Sequence, residues 1–113
     1  MKYVLLAYND EGMLGAMPPG ERATLGEACA ANDEALRQSG RLLAAERFAG
    51  GDAATTVSVQ NGRLAIGDGA LATSAQLAGL FVIDARDLNE AIRIAAQMPQ
   101  TRSGPLEVWP VKA

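Results

Sequence analysis

The stretch Lys2-Tyr3-Val4-Leu5-Leu6-Ala7-Tyr8 decides how the rest of the chain must be read. Val, Leu and Tyr suit a pleated strand, and side chains along a strand point alternately to its two faces. Tyr3, Leu5 and Ala7 fall on one face and Val4, Leu6 and Tyr8 on the other, so both faces are apolar. A strand whose sheet is covered on one side only alternates apolar with polar residues. This strand is therefore expected to be buried on both sides. Leu80 to Asp84 repeats the pattern, with Leu80 and Val82 on one face and Phe81 and Ile83 on the other.

Between and around these two strands the remaining elements follow from spacing. Asn9 to Gly20, with Gly12, Gly15, Pro18 and Pro19, reads as a loop. A helix is expected from about Pro19 to Ser39, where Leu25, Cys29, Asn32 and Leu36 share a face and Gly40 supplies the stop. Arg41 to Phe48 reads as a strand with Leu42, Ala44, Glu46 and Phe48 on one side. Thr55 to Ile66 contains Asn61-Gly62, the pair favoured in a two-residue type I′ hairpin because both positions need positive φ. The implied register sets Val59 opposite Leu64 and Val57 opposite Ile66, all on one face.

Asp87 with Glu90 three residues later is a helix-capping arrangement. The helix it opens is expected to bury Leu88, Ala91, Ile92 and Ala95, to turn Asn89, Glu90, Arg93 and Gln97 to water, and to end at Pro99. Leu106 to Val111 is the last strand, placed at an edge by Pro110. Thr73 and Ser74 are expected to cap a short helical turn. The order β-α-β-β-β-α-β defines an α+β chain, a single ferredoxin-like domain over residues 1–113 with helices on one face of an antiparallel sheet. That leaves the second apolar face of the central strands open. A second copy, sheet against sheet, would cover it and make a homodimer; the C-terminal strand and loops of the same chain are the other way to cover it.

Composition limits the function. Of the 113 residues, 49% are hydrophobic and 20% charged, a globular rather than a disordered balance. The net charge is −3, and Arg37, Arg41 and Arg47 are interspersed with acids, so no basic stripe exists to follow a nucleic acid. With no histidine and one cysteine, neither a metal set nor a histidine-based catalytic triad can be assembled. No Gly-rich phosphate motif is present, and no cofactor is expected. Cys29 alone cannot form an intrachain disulfide, which suits a reducing compartment. The apolar run ending at Asn9, Asp10 and Glu11 is too short for a signal peptide, and Gly69 to Ile83 is too short and polar to span a bilayer. The expected location is cytoplasmic, with no membrane partner.

Asp68 is the first candidate for chemistry, because it follows a strand and precedes Gly69. At a sheet end, near loops over the helix–sheet cleft, its carboxylate could act as a base or hold a ligand amine; the plainer use is to cap an Asp-Gly turn. Tyr8 ends the first strand, and its hydroxyl needs a partner if buried. Glu46 stands in apolar company, where burial would raise its pKa unless it pairs with an arginine or lies at the solvent end of its strand. Asn32, in the apolar stripe of the first long helix, points to a cleft or bonds a loop carbonyl. Trp109 is expected in the core, and Cys29 is expected to be a small core residue.

Asp68-Gly69-Ala70-Leu71-Ala72-Thr73 resembles the signature of the DGPF family, a branch of the YCII-related proteins. Gln76-Leu77-Ala78-Gly79, Ile83-Asp84-Ala85, Asp87-Leu88-Asn89-Glu90-Ala91 and Met98-Pro99 resemble its continuation, and the opening Met1 to Leu6 and closing Glu107 to Val111 match in kind. The signature departs from the family at Ala70 and Leu71, where Pro and Phe are usual, and lacks the acid before Thr73. The resemblance implies a dimeric α/β barrel and directs attention to Asp68, Gly69 and Thr73 as ligand-facing residues. The His-Asp pair of some YCII-related proteins aligns near Cys29 and Gln38, so that chemistry does not carry over.

Three functions remain. The chain is read first as a domain that binds a small organic molecule without turnover. The alternatives are an isomerase- or lyase-type enzyme using Asp68 or Glu46 for proton transfer with Tyr8 stabilising charge, and a regulatory partner of a sigma factor, as the resemblance implies.

Overall fold

The computed structural model describes residues 1–113. In chain order its elements are β1 (Lys2–Tyr8), α1 (Glu11–Ala16), α2 (Pro19–Gln38), β2 (Leu42–Arg47), β3 (Thr55–Gln60), β4 (Arg63–Asp68), β5 (Leu77–Asp84), α3 (Leu88–Gln97) and β6 (Leu106–Pro110). Strand β1 lies inside a four-stranded antiparallel sheet of order β2-β5-β1-β6, the ferredoxin-like order, with helices on one face. Pro110 sits on edge strand β6, where its missing N–H breaks no ladder.

One face of β1 and β5 is buried as expected, and the other is only partly covered within the chain. Tyr3, Leu5 and Ala7 pack with Phe81, Ile83, Leu42 and the α3 residues Ala91, Ile94 and Ala95 into one core. Val4, Leu6, Leu80 and Val82 point the other way and are only half-buried. The β3–β4 hairpin forms in the expected register, Val57 opposite Ile66 and Val59 opposite Leu64, around Asn61 (φ 52°) and Gly62 (φ 76°). It forms a separate two-stranded sheet, so its apolar face has nothing to pack on, and all four of these residues are at least 61% exposed.

Five local expectations are corrected. Asn9 to Gly20 is not all loop: Asp10 caps α1 by accepting from the Met13 N–H at 3.1 Å, a signal that Gly12 and Gly15 mask, since glycine disfavours helix interiors. In β2 a register shift between Leu42 and Ala44 breaks the shared face, so that Leu42 opposes buried Ile83 while Ala44 and Glu46 oppose Val82 and Leu80 on the open side. In α3 the buried stripe is Ala91, Ile94 and Ala95, continued by Met98, and it includes Glu90 at its edge; Leu88 and Ile92 are exposed. Finally, Trp109 lies on the open face, 53% exposed, and Ser74 ends a 3₁₀ turn (Ala72–Ser74) and bonds back to the Leu71 carbonyl rather than capping it.

The chain is flat, 47 × 41 × 20 Å, with a radius of gyration of 15.9 Å against about 13 Å for a compact domain of this length. Its accessible surface is 7549 Å², whereas a compact monomer of this mass exposes about 5,900 Å². No helix is long and apolar enough to cross a membrane.

Candidate functional site

Helix α2 crosses the sheet at an end where β1, β5 and β2 finish, and a cleft of about 200 Å³ opens there. Its floor is apolar, made by the buried residues Ala7, Phe81 and Leu25, with the half-buried Leu14 of α1 beside them. Gly79 on β5 keeps the floor low, since a Cβ there would stand 3.1 Å from the Glu46 carbonyl. Arg22 and Arg47 are the charged residues of the lining, and Tyr8, Asn9, Gln100 and Ser103 add neutral polar groups. Arg22 is held in place by donating from Nη2 to the Leu14 carbonyl at 2.7 Å, which leaves its other donors free.

Gln100 connects this cleft to a carboxylate. Its Nε2 donates to Asp33 Oδ1 at 3.2 Å, while its Oε1 is buried without a partner. Burial pushes the Asp33 carboxyl above its ordinary range, opposed by the Gln100 hydrogen bond and by the charges of Arg47 and Arg37. Cys29, also on the lining, has its thiol pushed up first by burial and then by the Asp33 charge, against the opposing charges of Arg47 and Arg102.

The residues singled out from sequence are dispersed. Tyr8 lines the end of the cleft, but its hydroxyl donates to Glu107 Oε1 at 2.6 Å, an oxygen that also accepts from Trp109 Nε1 at 3.2 Å. The hydrogen bond to Glu107 is the main reason the Tyr8 phenol is raised; the same bond, with that from Trp109, holds the Glu107 carboxyl below its usual range. Glu46 is exposed on the open face, opposite Leu80. Asp68 pairs with Thr55 at the base of the hairpin and is not among the residues lining the cleft. Gly69, at φ 86°, accepts from the Thr56 hydroxyl at 2.7 Å and donates to the Ala54 carbonyl at 2.8 Å, so this segment clasps the hairpin to the preceding loop. Thr73 is exposed in the 3₁₀ turn, and Asn32 lies in a groove between α2 and α3.

Sequence reasoning missed Arg22, Arg47, Gln100 and Asp33. Asp33 had a signal: it lies four residues after Cys29 and eight after Leu25, and so belongs to the same helical face as those residues. The other three come from separate segments and share no local pattern.

A four-stranded antiparallel sheet in the ferredoxin-like order, with helices on one face and a small cleft beneath them, places the chain among the α+β domains. The chain belongs to the YCII-related family, whose domain model matches residues 1–113. It is 30% identical over 114 residues to an uncharacterised protein of Rhizobium meliloti (strain 1021), covering 98% of this chain and 92% of that protein. Its fold is similar to that of 5-chloro-2-hydroxyhydroquinone dehydrochlorinase from Burkholderia phenoliruptrix AC1100, solved in complex with 2,5-dihydroxybenzoquinone. The TM-score is 0.57 at 14% identity, over 99% of this chain and 94% of that one.

Proposed function

We propose that this chain binds a small organic anion, a single-ring or short-chain acid, in the cleft between α2 and the sheet. The observation that carries this reading is the combination of an apolar floor with the guanidinium groups of Arg22 and Arg47. A cavity of about 200 Å³ falls below the roughly 300–1,000 Å³ of drug-sized sites, which limits the ligand to about one ring. The unpartnered Gln100 Oε1 offers an acceptor for a ligand hydroxyl. Because the dehydrochlorinase of similar fold was solved with a dihydroxybenzoquinone, hydroxyquinones and phenolates head the compounds to test, followed by aromatic carboxylates.

The test is a thermal-shift screen of those classes. A true ligand at a hundredfold excess over its dissociation constant adds about 2.7 kcal/mol, on the order of 10 °C for a chain of this size. Arg22→Ala and Arg47→Ala should each weaken a hit roughly tenfold. Failure of every class to shift the folded protein, or a hit indifferent to both variants, sinks the proposal.

A proton-transfer enzyme of the isomerase or lyase kind is the second reading, and the raised Asp33 carboxyl beside Gln100 favours it. Its test is turnover of any hit, with Asp33→Asn and Asp68→Asn compared. Loss in the first alone would assign the proton to Asp33, and loss in the second alone would return it to Asp68.

The assembly proposed is a homodimer, a dimeric α/β barrel closed sheet against sheet. The half-buried Val4, Leu6, Leu80 and Val82 and the exposed apolar face of the hairpin support it. So does the surface in excess of a compact monomer, about 1,600 Å², which over two chains falls in the size range of obligate dimers. A sigma factor would use the same apolar surface; a chain that stays monomeric until such a factor is added would favour that partner over self-pairing.

A further inference from the structure

We infer a second binding site, for a small oxyanion, in the groove between α2 and α3. It shares no residue with the helix–sheet cleft and has a volume of about 430 Å³. Arg41, Arg86 and Arg93 line it against a single carboxylate, Glu90, so the lining carries three positive charges and one negative, a net of +2.

Glu90 is already satisfied. Its Oε1 takes Arg41 Nη1 at 2.7 Å and the Arg86 backbone N–H at 3.3 Å, and its Oε2 takes Arg86 Nε at 2.7 Å. Burial pushes this carboxyl up, but those hydrogen bonds and the two arginine charges outweigh it and hold the group ionised. The carboxylate thereby fixes two guanidinium groups in the groove, each using one of its five donors on Glu90. Arg93 makes no ion pair. At the floor, Asn32 Nδ2 is buried with no hydrogen-bond partner.

The groove thus presents guanidinium donors and a positive charge that its single carboxylate does not offset. The other acids on this part of α2 are engaged elsewhere, Glu34 by Arg37 and Gln38, and Asp33 by Gln100. What complements fixed guanidinium forks and a buried amide donor is a phosphate group or a carboxylate, because both offer several strong acceptor oxygens to planar N–H pairs. The C-terminal end of α2, near Ser39, opposes an anion only with the partial charge of a helix end, against a net charge of two.

The experiment is calorimetric titration of the full chain with inorganic phosphate and, separately, with succinate, at constant ionic strength. One of the two should bind saturably at one site per chain, phosphate naming a phosphorylated ligand and succinate a carboxylate. Arg93→Gln and Asn32→Leu should each weaken that binding roughly tenfold. Arg93 is exposed, so its variant should fold normally. Arg47→Ala, at a residue outside the groove, should leave it unchanged. Heats no larger than a sodium chloride control, unchanged affinity in both groove variants, or loss of binding in Arg47→Ala would each overturn the inference.

Discussion

Replacing Val82 by Asp tests the sheet-to-sheet assembly most directly. Val82 lies on β5 within the open face, opposite Val4 on β1 and Ala44 on β2, and its side chain points away from the helix-side core. In an isolated chain the new carboxylate would meet water. In a closed dimer it would be enclosed by apolar residues and would neutralise by taking up a proton, since burial shifts a carboxyl upward by several units. Holding an Asp of ordinary pKa near 3.9 protonated at pH 7 costs about 4 kcal/mol, at 1.36 kcal/mol per unit. Two-fold symmetry places the substitution in the interface twice, for about 8 kcal/mol, or nearly six orders of magnitude in the dissociation constant. A nanomolar dimer would become millimolar. Sedimentation velocity at roughly ten micromolar should therefore show the parent chain as a dimer and Val82→Asp as a monomer. Lowering the pH toward 4, where the carboxyl is protonated in water as well, should restore the dimer. A natively folded Val82→Asp chain that stays dimeric at neutral pH, or a parent chain that is monomeric, would refute the reasoning.

Other perturbations address the fold and the open-face cluster. Leu5→Ala empties a fully buried position on β1 and should cost about 2–5 kcal/mol, read as a lower urea midpoint at unchanged slope; a loss below about 1 kcal/mol would contradict the core described here. Gly104→Ala would drive a Cβ into the Tyr8 carbonyl oxygen, at the point where the Tyr8 N–H bonds the Pro105 carbonyl, so it should unfold the chain or sharply lower its melting temperature; a normal melt would show that the strand end yields. Glu107→Gln should destabilise in a pH-dependent way. The depressed Glu107 carboxyl contributes stability above its unfolded pKa of about 4.3 that is lost as pH falls through the lower folded value. The raised Tyr8 phenol contributes stability below about pH 10 that is lost as pH rises through its folded value. Melting temperatures of parent and variant should differ most between about pH 5 and 9 and converge at both ends; a constant difference would remove the Tyr8–Glu107 bond from the account.

What the sequence disclosed was local. The alternation along β1 and β5 and the Asn61-Gly62 turn depend on residues within one element, and both are realised in the structure. The buried stripe of α3 was misjudged because Leu88, Ala91, Ile92, Ala95 and Ala91, Ile94, Ala95, Met98 fit the helical period equally well. Tertiary partners decide between them, among them Arg41, a distant residue that draws Glu90 inward. The cleft was harder still. Arg22, Arg47 and Gln100 reach it from a helix, a strand and a 3₁₀ turn, so only the closed sheet brings them together.

The sheet also separates the cleft from the open apolar face. Along β2 the side chain of Arg47 joins the cleft while that of Glu46, one residue earlier, stands on the open face. On β5, Gly79 and Phe81 belong to the cleft, and Leu80 and Val82 to the opposite side. Substitution at one parity alters the cleft lining and at the other alters the open face. The exceptions lie at the strand ends: Ala78 of β5 also lines the cleft, and at the end of β1 Tyr8 touches the cleft yet anchors Glu107 and Trp109 through its hydroxyl. The backbone there is pinned by the close approach of Gly104. A ligand that moved this strand end would therefore strain the Tyr8–Glu107 hydrogen bond on the far face.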